Sequence, residues 1–130
     1  MRQPTPPAKL EKKKLIRQYK ETRRPMGVYR ILNSENGKSF VSSSVNLPAI
    51  FNRMKMELNT GGHLKHPELQ KDWRRLGADA FELEVLEELE PPDDSPGWDP
   101  HDDLQALEEL WLEKLEPYDE RGYNRRPKTR

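Results

Sequence analysis

The arrangement of apolar and polar residues divides the chain into segments of different period. In "GVYRIL" Tyr29 and Ile31 fall on one face and Val28 and Leu32 on the other, and "KSFVSS" follows after "NSENG". Asn36-Gly37 supplies the positive φ that a hairpin turn demands, so two short antiparallel strands are expected, with Tyr29 on the first facing Phe40 on the second. From Asn46 the period lengthens. Leu47, Ile50, Phe51, Met54 and Leu58 recur at helical spacing, Pro48 is tolerated in the first turn, and Gly61-Gly62 ends the run. A second helix opens at Pro67, with Leu69, Trp73 and Leu76 as its apolar ridge and Gly77 as its stop.

Alternation returns in "FELEVLEEL", where Phe81, Leu83 and Val85 oppose Glu82 and Glu84. This predicts a half-buried third strand whose acidic side faces water. "PPDDSPGWDPHDD" is rich in turn formers and acids and reads as a solvated loop, with Trp98 placed to pin it to the body. The last helix, "DLQALEELWLEKL", is expected to be capped by an aspartate before Leu104 and carries the apolar line Leu104, Leu107, Trp111 and Leu115. Ahead of the hairpin, "PPAKLEKKKLIRQYKET" sets Leu15, Ile16 and Tyr19 near one side of a weakly amphipathic helix. The order αββααβα lacks strand–helix–strand alternation. It predicts an α+β fold: a small three-stranded antiparallel sheet flanked by helices, with an extra N-terminal helix.

A chain of 130 residues suits one core with hydrophilic tails. With no Cys there is neither a disulfide framework nor a thiolate metal site, and no leader or long apolar run is evident. A cytoplasmic protein without a membrane partner is the expectation. The formal net charge of zero conceals a segregation. Residues 1–24 carry nine Lys or Arg against two acids, 25–77 eight against four, 78–120 one against seventeen, and 121–130 five against none. The basic ends and basic first half suit a phosphate backbone, through release of its counterions, or equally a solvated polar surface.

Glu108 breaks the pattern of the last helix. It lies about 40° from Leu104 and about 60° from Trp111, inside the apolar stripe, while Glu109 and Glu113 point outward. A carboxylate there must meet a cation, bind a metal or stand at the rim of a cleft. His63 and His66 have a spacing compatible with metal ligation, but Gly61-Gly62 and Pro67 place them in a loop, the second just where a helix begins; a structural role is the simpler reading. His101, in the acidic loop, has no better claim.

Taken together, "GVY", eleven residues to "FVSSSVNL", then "GGHLKHPELQKDWRRLGADAFELEVLEEL", "LEELWLEKL" and "GYN" resemble the GIY-YIG nuclease family, most closely its homing-endonuclease-like branch. The resemblance spans residues 27–124, with the acidic Pro-rich loop at 91–103, a basic helix or arm at 1–26 and a basic tail at 125–130. It implies DNA as the partner and phosphodiester hydrolysis aided by one divalent cation, Mg²⁺ or Mn²⁺, as the chemistry. By the same resemblance Tyr29 stands near the attacking water and Glu108 holds the metal.

Other positions depart from the family motif. Phe40 stands where a second Tyr belongs and lacks its hydroxyl, and Ser42 replaces a Gly. The family's Arg and His fall on Ile50 and Met54, both apolar, so Arg53, about 60° around the helix from Ile50, is the nearest substitute cation. Lys38, Lys55, Arg125, Arg126 and Lys128 are candidate DNA contacts. Two outcomes follow: a nuclease with weakened or lost catalysis that still binds DNA, or a non-catalytic module of the same fold with a protein partner.

Overall fold

A computed structural model describes residues 24–92 and 97–127 of the chain; the expected N-terminal helix lies outside the described residues. Strand β1 (Gly27–Asn33) runs down the middle of a three-stranded antiparallel sheet, flanked by β2 (Ser39–Ser44) and β3 (Phe81–Glu88). The helices are α1 (Leu47–Thr60), α2 (Pro67–Leu76) and α3 (His101–Leu115). The α+β expectation holds for these elements.

The hairpin closes as its turn residues require. Gly37 adopts φ of 78°, its N–H donates to Asn33 O, and the Asn36 side chain accepts the Lys38 N–H at 2.9 Å. The register differs in one respect from the sequence reading: Tyr29 pairs directly with Ser42, while Phe40 pairs with Ile31 and stands diagonal to Tyr29. On the other side β1 meets β3 with a register shift between Val28 and Tyr29, so that Val28 faces Glu87 and Tyr29 faces Val85. Leu86 is the extra residue of this bulge.

One sheet face builds the main core. Tyr29, Ile31 and Phe40 pack with Leu47, Met54 and Leu58 of α1 and with Leu69 and Trp73 of α2, closed by Phe81 and Tyr123. Each fully buried Leu here contributes about 1.5–3 kcal/mol relative to exposure. The opposite face is covered at one end by α3, which packs across β1 and β2 above the buried Val28 and Val41 and brings Leu104 inside.

Polar groups trapped in the core are satisfied, as burial demands. Asn33 donates from Nδ2 to the Tyr123 hydroxyl at 3.0 Å and accepts the Glu35 N–H, and Tyr123 in turn donates to Asp72 at 2.7 Å. Gln70 donates to Leu58 O at 2.9 Å and accepts the His63 N–H at 3.0 Å, tying α2 to the end of α1.

Several local expectations are corrected. α3 begins at His101, with no side-chain cap; Asp102 and Asp103 sit in its first turn, and the nearest acceptor is Asp99, which takes the His101 N–H at 3.0 Å. Trp98, half-buried, ties the acidic loop to that same turn by donating to Asp103 at 3.1 Å. The acidic side of β3 does not simply face water. Arg30 of β1 donates to Glu84 and holds that carboxyl below the usual range, and Trp111 of α3 donates to Glu87 at 2.9 Å. Val85, grouped by alternation with the burying side, is 42% exposed. No helix among the described residues is long and apolar enough to cross a membrane.

Candidate active site

The end of the hairpin, α1 and α3 converge around Tyr29. Its phenol is buried beneath Phe51, whose ring meets it edge-on at 5.6 Å, with Phe40 at 6.3 Å in the same manner. Glu108 of α3 reaches the same place. Its Oε1 accepts the hydroxyls of Ser42 at 3.3 Å and Ser43 at 3.0 Å, and Ser42 is also hydrogen-bonded to the Tyr29 phenol. The half-buried carboxylate is therefore stabilised by hydroxyl donors, with Oε2 making no hydrogen bond among the described residues. Of the three situations open to Glu108, pairing with a protein cation is not seen among the described residues.

Burial raises the Tyr29 phenol from its ordinary 10 to about 12. The Ser42 hydrogen bond and the charge of Arg53 oppose this, while Glu108 and Glu57 add to it. At neutral pH the side chain is a protonated phenol. It can donate a hydrogen bond to an oxygen, and it is a poor base.

The helical wall has the character that the wheel predicts. Met54 is 4% exposed, within the core, and Ile50 and Phe51 pack against it partly buried. Arg53 is on the outer face, its side chain 69% exposed and 3.5 Å from Glu57 one turn on. Its charge is felt at Tyr29, yet it makes no hydrogen bond there among the described residues. Lys55 is exposed and makes no hydrogen bond or ion pair with either residue among the described residues. The structure thus brings together Tyr29, Glu108 and the Phe40 ring, leaves Arg53 on the periphery, and leaves Lys55 outside. Lys128 is beyond the described residues.

Lys38, Arg125 and Arg126 belong to a second feature. A cleft of about 710 Å³ opens beside the hairpin turn, the loop before α2 and the C-terminal segment, and these three line it with Lys65, His66 and Tyr123. The segment is fastened along the outer edge of β2. Tyr123 N–H donates to Ser39 O at 2.9 Å, and the Asn124 side chain both donates to Val41 O and accepts Val41 N–H at 2.8 Å. Within the cleft wall the two histidines bond to each other, His63 Nε2 to His66 Nδ1 at 2.9 Å, and no group of three or more potential metal ligands occurs among the described residues.

Sequence reasoning missed the serines that hold Glu108, although the run Ser42-Ser43-Ser44 beside a family motif was a signal. It also gave no role to Asn124 or Lys65, and read His66 only as a structural residue where a helix begins. Only the pairing of β2 with the C-terminal segment reveals them as neighbours.

A central hairpin carrying a buried Tyr, a helix stacked on each sheet face and a late-helix Glu define a GIY-YIG-like nuclease fold. Among solved structures the chain is similar to the catalytic domain of the homing endonuclease I-TevI, with TM-score 0.61 and 28% identity over 76% of this chain and 96% of that one. A mutant form of the catalytic domain of intron endonuclease I-TevI aligns with TM-score 0.62 and 26% identity over 77% of this chain and 92% of that one. No protein-family model and no curated protein matches the chain.

Proposed function

We infer that this is a DNA-binding protein on a nuclease fold whose phosphodiester hydrolysis is strongly weakened. The similarity to an endonuclease catalytic domain supports DNA as the substrate class. The observation that carries the weakening is the α1 wall: the positions that the family resemblance assigns to Arg and His hold Ile50 and the buried Met54. Removing one preorganised donor from a developing oxyanion costs on the order of a hundred- to a thousandfold in rate, and here more than one has gone.

The donor set at Glu108 fits a single hard divalent cation. One carboxylate with a free oxygen beside hydroxyls is how Mg²⁺ or Mn²⁺ is commonly shared between protein and nucleotide, with waters and phosphate oxygens completing the shell. Glu108 would hold the ion, which when bound supplies charge neutralisation at the leaving oxygen. Ser42 and Ser43 hold the Glu108 carboxylate in place, and Tyr29, kept protonated by burial, donates to a phosphate or water oxygen. Arg53 is the residual cation, reaching the phosphate only by leaving Glu57. The domain is residues 27–124, with the basic segments on either side adding salt-sensitive affinity for the duplex.

Purified protein incubated with supercoiled and branched DNA and Mn²⁺ tests this reading. Salt-dependent binding with slow nicking that Glu108→Ala abolishes is the expected result. Binding with no nicking above the Glu108→Ala background would leave the non-catalytic module with lost chemistry; absence of binding would remove the DNA reading.

A further inference from the structure

The cleft beside the hairpin turn contains a titratable group that the chemistry above does not use. His66 lines it, its ring tilted against Phe40 with centroids 4.3 Å apart, and is joined through His63 to α1, since His63 Nδ1 lies 3.6 Å from Glu57. The Glu57 charge favours a proton on His63 Nδ1. His63 Nε2 is then the acceptor for His66 Nδ1–H, and His66 Nε2 carries a lone pair. With His63 only 5% exposed, this arrangement is shielded from water on the protein side.

Charges of both signs face His66. Lys65 adjoins it in the loop, Lys38 comes from the hairpin with its ammonium 5.8 Å from the Tyr123 ring centre, and Arg125 bridges the walls by donating to Lys65 O at 3.3 Å. Of the acids, Asp119 is paired with Arg126 at 2.7 Å, which leaves Glu68 and Glu120. Burial is the first cause that lowers His66 from 6.5 to about 4, followed by His63, Arg125 and Lys65, with no carboxylate among the causes. Four cations and three carboxylates line the cleft, and the His66 ring among them is neutral at pH 7.

Its position matters as well. Phe40, under His66, is two residues from Ser42 along β2, and Lys38 is four, which is about 7 and about 13 Å in a strand. At about 3.4 Å of rise per nucleotide in one strand, that is a few nucleotides from whatever lies on Tyr29 and Glu108.

We propose that this cleft seats a phosphate group, in the proposed function a backbone phosphate of DNA flanking the one at Tyr29 and Glu108, and that seating it puts a proton on His66 Nε2. The inference rests on the DNA reading for its occupant, not for its chemistry. An anion offsets the repulsion from Lys65 and Arg125 and favours the imidazolium, which then donates from Nε2 to a phosphate oxygen while Nδ1–H stays on His63. Between the free and bound titration midpoints, up to one proton is taken up per phosphate seated. Binding therefore tightens as pH falls from above the bound-state pKa towards 4, by at most about tenfold per pH unit.

Side-chain ¹⁵N NMR of the full chain, titrated with inorganic phosphate and then with a short duplex, reads His66 directly. Both ligands should raise its titration midpoint, and Lys65→Ala or Arg125→Ala, which leave the ring in place, should weaken the response at least severalfold. Duplex affinity measured from pH 5 to 8 should lose up to one proton's worth of slope in His66→Gln, a change that removes no helix cap because the His66 side chain makes no capping hydrogen bond. Duplex binding with His66 unmoved, or equal slopes in the two proteins, overturns the seat and leaves the DNA reading standing. Phosphate that shifts His66 in a protein that binds no duplex supports the seat and removes the DNA reading.

Discussion

Asn124 grips Val41 through both ends of its amide: Nδ2 donates to Val41 O and Oδ1 accepts Val41 N–H, each at 2.8 Å. The side chain thus behaves as one more residue of sheet along the outer edge of β2, next to the strand that presents Ser42 to Glu108. Both bonds are partly buried, and loss of the amide leaves two backbone groups without partners. Asn124→Ala is expected to cost about 1–3 kcal/mol in denaturant unfolding. Asn124→Asp keeps the acceptor but cannot donate to Val41 O, and should also destabilise. A stability unchanged in both variants would show that the edge is held by other means.

Two glycines of the hairpin are needed for different reasons. A Cβ on Gly27 would collide with the Glu87 carbonyl at the β3 bulge, whereas one on Gly37 meets nothing but would sit on a backbone at φ of 78°. Gly37→Ala should cost about 1–2 kcal/mol, the price of a left-handed conformation, and Gly37→Asn less. Gly27→Ala forces β3 to move, with an expected penalty of about 1–3 kcal/mol. Chemical denaturation of the three variants separates them: only Gly27→Ala should also alter the amide signals of Glu87 and Glu88.

The regular part of this fold was legible because period and punctuation agree. Leu47, Met54 and Leu58 recur at helical spacing and are buried, and Gly61 and Gly77 end α1 and α2 where expected. Glu108 was identifiable as an anomaly within an apolar stripe. What could not be read were relationships between segments far apart in sequence. Ser43 meets Glu108 across 65 residues and Val41 meets Asn124 across 83, and no local preference encodes either. The start of α3 was misplaced for a local reason: several acids compete as caps around His101, and the helix begins without a side-chain cap from any of them.

Alkaline pH should expose the two buried phenols. Burial is the first cause that raises both Tyr29 and Tyr123 from 10 to about 12. A raised acid binds its proton more tightly in the folded state. Its contribution is therefore full below pH 10, where unfolded tyrosine is still protonated, and is lost as pH rises through 12. Each phenol is worth at most about 3 kcal/mol in that window. Thermal unfolding followed from pH 9 to 12 should fall steeply, and Tyr29→Phe should flatten the curve. Tyr123→Phe flattens it as well, but it lowers stability at neutral pH by about 1–3 kcal/mol because Asn33 and Asp72 each lose a hydrogen bond.

The last prediction concerns rate and follows from the wall of α1. Ile50 is partly buried at the margin of the core, so a longer side chain there can leave its stem on the hydrocarbon and carry its charge out beside Tyr29. If the reaction is slow for want of a preorganised cation, Ile50→Arg should raise Mn²⁺-dependent nicking of a supercoiled plasmid at least tenfold, part of the hundred- to thousandfold that one such donor is worth. Arg53→Ala should lower whatever rate the unaltered protein has, since Arg53 is the remaining guanidinium whose charge reaches Tyr29. In the double variant Ile50→Arg with Glu108→Ala, the gain should vanish, because in the proposed function Glu108 is the carboxylate that would hold the ion, and a charge beside the phosphate cannot replace it. Equal nicking by Ile50→Arg and the unaltered protein would mean that the missing cation is not what limits this site.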